Sequence, residues 1–303
     1  MGRCRPTLTT RRRTARTTLD WSTPTRDTSG VTRHVAGARR TLALVSETRA
    51  ATTTTRRSTR FVAWTRAWRA GLVPYDDVAD EIAGGEEHVV ADAPGTWTDT
   101  TLRDALPLLA KLPPDDIRVV LPAAGDPVGL PGPGPFTGAA LLEGEGVLAG
   151  AYGFVPELRD HTSGSGDVFT TVRWQVFLLP TEPPPANGPG AAEAEADLNA
   201  ALLSATAELT RLDVAQWRPE LAGALAALRR PDNGTELPPG YDPRARRLFA
   251  RASVLDRVLA LADEVAPGGA INSHEARARD DVLRPLAAAC RHALVAACNS
   301  PLL

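Results

Sequence analysis

The chain has 303 residues, 43% hydrophobic and 23% charged, with a formal net charge of −2. Its three cysteines (Cys4, Cys290, Cys298) exclude a disulfide framework, and no run approaches the roughly 20 apolar residues of a membrane-spanning helix. The net charge is a cancellation: residues 1–60 hold fourteen arginines, no lysine and three acids (net +11), which leaves the remainder at −13.

Residues 1–60 read as a disordered basic leader. Seventeen of them are threonine, and no apolar periodicity is present to repay the entropy of ordering. Clustered arginines release counterions from phosphates without needing a fold, so nucleic acid enters the reading only through this segment. The Arg11-Arg12-Arg13 run lacks the apolar stretch that a secretion signal places after its charges. Lys111 stands alone against thirty-three arginines, the coding bias of a GC-rich genome. In such a genome an upstream region reads as Arg/Thr-rich text, and a start near Val45 or Val62 is the expectation.

After residue 60, Phe61, Trp64, Trp68 and Leu72 fall at helical spacing, with Gly71 as a stop. Pro74 opens a second helix over 75–83, with Asp76 and Asp77 in its first turn, where the helix dipole favours them. A short strand follows at His88–Val90, then a helix over 100–112. Ile117–Pro122 is an apolar strand, and Phe136–Leu142 a short helix. Val147–Val155 reads as one glycine-bearing strand. Residues 159–167 read as a polar loop. Val168–Leu178 is the clearest strand: its even positions are mainly apolar, while Thr171, Arg173 and Gln175 fall between them, as in a sheet wet on one side.

Residues 181–190 are a Pro/Gly-rich linker. Beyond it, four helices are expected, over 191–212, 220–229, 242–265 and 272–299. Asp242-Pro243 supplies one start and Asn272 with Glu275 a capping box for the last; Pro285 is expected to kink it. Short loops between helices argue for an antiparallel bundle. The organisation expected is therefore a leader (1–60), a small α+β region with an antiparallel sheet (61–180), a linker, and a helical bundle (191–303) packed on it as one α+β body.

The loop over 122–135, PAAGDPVGLPGPGP, sits between a strand and a helix, where α/β proteins often hold ligands. Phosphate cradles need consecutive backbone N–H groups; this loop has five prolines and no lysine. It matches no nucleotide-binding glycine pattern, and presents a stiff surface better than it wraps an anion. Asp126, Leu130, Phe136, Arg173 and Trp174 are the residues expected to touch a ligand or partner. Asp160, His161, Ser163 and Ser165 crowd one loop, whereas a catalytic triad converges from separate elements. Glu143 and Glu145 read as a solvated turn. The arginines at 244, 246, 247, 251 and 257 are expected to meet acids of neighbouring helices. His274 and His292 lack i, i+4 metal spacing, and neither HExxH nor CxxC occurs. The residues thus point to no catalytic group, cofactor or metal, and to an unidentified protein partner.

The segments FVAWTRAWRAGLVPYDDV (61–78), VVLPAAGDPVGLPGPGPFTGAALLEGEGVL (119–148), LTRLDVAQWRPELAGALAALR (209–229) and LRPLAAACRHALVAAC (283–298) together resemble an uncharacterised protein family of actinobacteria. The resemblance covers most of residues 61–303 and none of 1–60. It implies a cytoplasmic actinobacterial protein and brings no activity, cofactor or catalytic residue with it. The functional expectation is a non-catalytic interaction or regulatory module; the alternative is a small-molecule binder or enzyme using the 122–135 loop.

Overall fold

The computed structural model describes residues 56–95, 98–164, 166–180, 188–211, 236–264 and 273–303. Helix α1 (Arg57–Arg69) begins inside the segment expected to be leader, and Arg57, Ser58, Thr59 and Arg60 are buried. The boundary therefore moves from residue 60 to about 56. The reason is charge pairing: the leader's last arginines are counter-charges for acids of the body. Arg56 forks onto Asp256 at 2.8 and 2.9 Å, and Arg57 onto Glu86 at 2.9 and 2.5 Å. Arg60 donates to the Glu81 carbonyl at 2.5 Å.

Helix α2 (Tyr75–Ala83) follows Pro74 and ends at Gly84, whose φ of +57° closes the helix in the left-handed region. A side chain at Gly84 would also overlap the Arg60 guanidinium, 1.9 Å from an ideal Cβ. Strands β1 (Glu87–Ala91) and β2 (Thr100–Thr101) come next, then α3 (Leu102–Ala105) and 3-10 turns over Leu106–Leu109 and Pro114–Asp116. The single helix expected over 100–112 is thus broken up. Pro107 removes a donor that a continuous α-helix would use.

The rest of the sheet is β3 (Ile117–Val120), β4 (Gly146–Ala149), β5 (Tyr152–Thr162) and β6 (Val168–Leu178), with α4 (Pro135–Glu143) between β3 and β4. The strand order is β2-β1-β6-β5-β4-β3, and β1 runs parallel to β6 while the other neighbours are antiparallel. The sheet is mixed, not purely antiparallel as expected. Alternation within one strand carries no information about the direction of a neighbour some eighty residues away. The strand expected over 147–155 is two strands, joined by a turn at Gly150 (φ +57°). The loop expected over 159–167 contracts, because β5 runs on to Thr162.

One face of the sheet packs on α1. Trp174 is fully buried, with the Phe61 ring 4.8 Å away and Phe154 5.4 Å from Phe61, centroid to centroid. The same core runs on into α5 (Ala191–Arg211), α6 (Pro243–Glu264) and α7 (Ser273–Cys298), through Leu198, Leu248, Phe249 and Leu294. Asp242 caps α6, accepting from the Arg244 N–H at 2.7 Å, and α7 runs as one helix through Pro285. Arg244 pairs with Glu195 of α5 at 3.0 Å, the kind of partner expected for that basic face. The helix expected over 220–229 and the Asn272 cap lie outside the described residues.

Strand β3 is a sheet edge. The Asn299 side chain closes it: its Oδ1 accepts from the Val119 N–H at 2.9 Å, and its Nδ2 donates to the Val119 carbonyl at 3.0 Å. One amide thus does for Val119 what a neighbouring strand would do.

Candidate functional site

The Gly/Pro loop leaves β3 through a tight turn. Ala123 and Asp126 exchange backbone hydrogen bonds at 3.0 and 2.9 Å, around Gly125 at φ +82°. The Asp126 carboxylate reaches α7, where it accepts from Arg291 at 2.7 Å and faces His292 Nε2 at 3.1 Å. Burial pushes its pKa up, but the hydrogen bonds from Arg291 and His292 outweigh this and hold it below the usual aspartate range. Asp126 is therefore a clamp between loop and helix.

Asp126→Asn will lower stability by about 1–2 kcal/mol at neutral pH, because a charge-assisted bond becomes neutral. A group whose folded pKa is depressed stabilises above its unfolded pKa and loses that contribution as pH falls through the folded value. The gap between wild type and variant, measured by urea unfolding, should therefore be full near pH 7 and shrink below about pH 4. A gap that stays constant across this range would show that the carboxylate charge does not hold the loop.

At its other end the loop enters α4, and Phe136 turns down onto the sheet. Phe136 is 3% exposed and forms a second small core with Val120, Ala140, Leu148, Val155 and Leu179. The ring lies over Gly153, where an ideal Cβ would fall 2.3 Å from it, and meets Phe177 edge-on at 6.1 Å. Leu130 packs at the rim of this core. A shallow notch opens beside it, between Pro131–Thr137 and Leu178–Pro180. None of the residues lining the notch ionises, and the Thr137 hydroxyl is donated to the Gly132 carbonyl. Such a surface has no acid, base or nucleophile to offer. What it does present is apolar: Leu178, which lines it, is 76% exposed, while Val128 earlier in the loop is 56% exposed and Leu142 of α4 86%.

The five residues expected to share a contact surface are distributed over separate places. Leu130 and Phe136 share the rim and floor of the small core, with Asp126 at the far end of the same loop. Arg173 and Trp174 are consecutive in β6 and so face opposite sides of the sheet. Trp174 is buried, and its indole N–H donates to His88 Nδ1 at 3.1 Å. Arg173 pairs with Asp99 at 3.2 Å, and that bond raises its pKa further.

A buried polar network around the start of α1 was not anticipated from the sequence. Glu145, expected in a solvated turn, is 9% exposed, and its carboxylate accepts from the Ser58 N–H at 2.7 Å. It fills the role of an N-cap from a distant part of the chain. Burial raises its pKa, against the opposing pull of the Ser58 N–H, Arg56 and Arg57. Nearby, His88 Nδ1 accepts from an indole that can only donate, so Nε2 carries the proton and points it toward Glu86, 3.5 Å away. Burial would raise the Glu86 pKa; the adjacent His88 ring and the hydrogen bonds from Arg57 bring it down to about 2. Histidine beside carboxylates suggests acid–base chemistry, yet these groups are taken up in binding one another. Arginines just ahead of a helix, with Glu86 and His88 close in sequence, were the available signal.

Cys290 and Cys298 are buried, and burial pushes both thiols up to about 12, far from a reactive thiolate at neutral pH. Among the described residues no group of three or more His, Cys, Asp or Glu is arranged to hold a metal, and no helix is long and apolar enough to cross a membrane.

Residues 58–189 match the family model described as Rv1486c-like protein, N-terminal domain, and residues 192–295 match Rv1486c-like protein, C-terminal domain. A protein of Mycobacterium leprae (strain TN) named Uncharacterized protein ML1804 is 26% identical over 287 residues, spanning 80% of this chain and 96% of its own length. No solved structure matches.

Proposed function

The chain belongs to the Rv1486c-like family of actinobacterial proteins, and from that premise we propose that it acts as a non-catalytic protein-interaction or regulatory module of the bacterial cytoplasm. The observation that carries this reading is the Gly/Pro loop, which is fixed at both ends and apolar between them. Asp126 ties it to α7, and Phe136 plugs it into the sheet. Four prolines, Pro127, Pro131, Pro133 and Pro135, restrict what lies in between. A surface already rigid loses little conformational entropy when a partner docks, so exposed Val128 and Leu178 can bind at low ordering cost. A protein partner presenting apolar side chains is the occupant that this chemistry suits. The notch beside Phe136 favours a second reading, in which a small apolar molecule or a single partner side chain enters it.

Affinity capture from an actinobacterial lysate, with wild type and Val128→Glu/Leu178→Glu compared side by side, tests the proposal. Both positions are exposed, so the double variant should keep its Tm while losing its specific partners about tenfold or more. A set of captured proteins that is the same for both would sink the reading.

A further inference from the structure

The β5–β6 hairpin outruns the sheet that carries it. β4 accompanies β5 only as far as Phe154, and β1 accompanies β6 only from Thr171 onward. Beyond those points the two strands pair only with each other, through Thr162 and Val168. Two-stranded ribbons are marginal in water, and this one leaves Leu158 37%, Val168 44% and Phe169 51% exposed.

The free edge of β5 can be read residue by residue. Leu179 N–H donates to the Ala151 carbonyl, and Ser163 N–H to the Asp167 carbonyl. With the register unbroken between these points, the odd-numbered residues of β5 bond to β6 and the even-numbered ones face outward. Pro156, Leu158, Asp160 and Thr162 thus direct their backbone polar groups away from β6. Among the described residues no strand pairs with them. Pro156 sits where its missing N–H would have faced outward, as edge prolines do.

We propose that this edge binds a second copy of the same chain, by antiparallel pairing of the two β5 strands across a two-fold axis at Leu158. About that centre the strand is self-complementary. Leu158 meets the second copy's Leu158 on one face. On the other face Glu157 lies opposite the second copy's Arg159, and Arg159 opposite its Glu157, so both cross-strand pairs are attractive. Leu158 N–H and carbonyl exchange bonds with their own symmetry mates, and Asp160 N–H reaches the second copy's Pro156 carbonyl. Prolines and charges on an edge ordinarily repel a generic strand. Here they admit the one strand that carries the matching pattern, and the contact is isologous. Within one copy, Glu157 and Arg159 already pair at 2.8 Å, so dimerisation exchanges that bond for its counterpart across the axis.

The test is the oligomeric state of the full chain by sedimentation velocity over a concentration series. Wild type should show a monomer–dimer equilibrium. E157R places arginine opposite arginine, and R159E places glutamate opposite glutamate; each alone should weaken the dimer about tenfold or more. Mixed together, the two variants should recover it, because their heterodimer restores both attractive pairs. Circular dichroism checks that each remains folded. A wild type that stays monomeric throughout, variants that dimerise as well as wild type, or a mixture that fails to recover the dimer would each overturn the proposal.

Discussion

Arg66→Met will destabilise the protein by about 3 kcal/mol, a fall in Tm of roughly 10 °C. Arg66 is 1% exposed, deep beneath α1. Its Nε donates to the Pro114 carbonyl at 3.1 Å and its Nη1 to the Cys298 carbonyl at 2.7 Å. Nη2 reaches Asp115 at 2.8 Å, and the guanidinium carbon lies 5.9 Å from the Tyr241 ring centroid. Asp115 is mostly exposed, so the ion pair itself contributes little. The loss comes from the carbonyls. Pro114 keeps only the Ile117 N–H, and Cys298, at the last turn of α7, keeps only the Tyr241 hydroxyl at 3.0 Å. Arg66→Lys should fare nearly as badly, since an ammonium cannot reach three divergent acceptors in one plane. Urea unfolding measures both. A loss below about 1 kcal/mol for the methionine variant would mean that relief from burying the charge offsets the lost bonds.

A second large effect is expected from trimming the N-terminus in two steps. A chain of residues 56–303 should unfold cooperatively at the wild-type temperature. A chain of residues 62–303, which begins at one of the valines considered as a start, should not fold cooperatively at all. The six residues between include Phe61, in the centre of the core and worth about 3–5 kcal/mol by itself. They also include Arg56, Arg57 and Arg60 with their partners. Without Ser58 and these arginines, Glu145 would stay buried with no N–H and no positive charge nearby. Together these losses are comparable to the whole net stability of a typical domain, about 5–15 kcal/mol. Thermal unfolding followed by circular dichroism reads both steps; a cooperative transition from the shorter chain would refute the account.

What could be read from the chain beforehand follows from which signals are local. β6 was legible because its apolar and polar residues alternate along eleven positions, although of the apolar set only Val172 and Trp174 are buried and Val168 and Leu178 at the ends are exposed. The start of α6 was legible because Asp-Pro carries its own mechanism. The Gly/Pro loop was legible as a stiff connector between strand and helix. The parallel pairing of β1 with β6 was not, since it depends on a contact between distant segments. The extension of β5 was hidden for another reason: Arg159, Asp160 and His161 are exposed in a ribbon wet on both faces, so nothing forces an apolar alternation. Glu145 misled because a carboxylate between glycines looks solvated until a distant helix end is brought to it. The leader's boundary was set by charge alone, which cannot separate arginines that face solvent from arginines that face acids. At the candidate site the loop was found, but two of its expected companions, Arg173 and Trp174, belong to opposite sides of the sheet.

The amide of Asn299 on the edge of β3 also has a bearing on when the protein can fold. Val119 waits for a partner 180 residues further along the chain, and Arg66 for a carbonyl 232 residues away. While the chain is being made, β3 keeps an open edge and Arg66 lacks one of its acceptors until Cys298 and Asn299 have left the ribosome. Contacts so distant in sequence slow folding and prolong the exposure of unpaired edges. The N-terminal half is thus a dependent of the last turn of α7, and that turn must be made before the first helix can be locked in place.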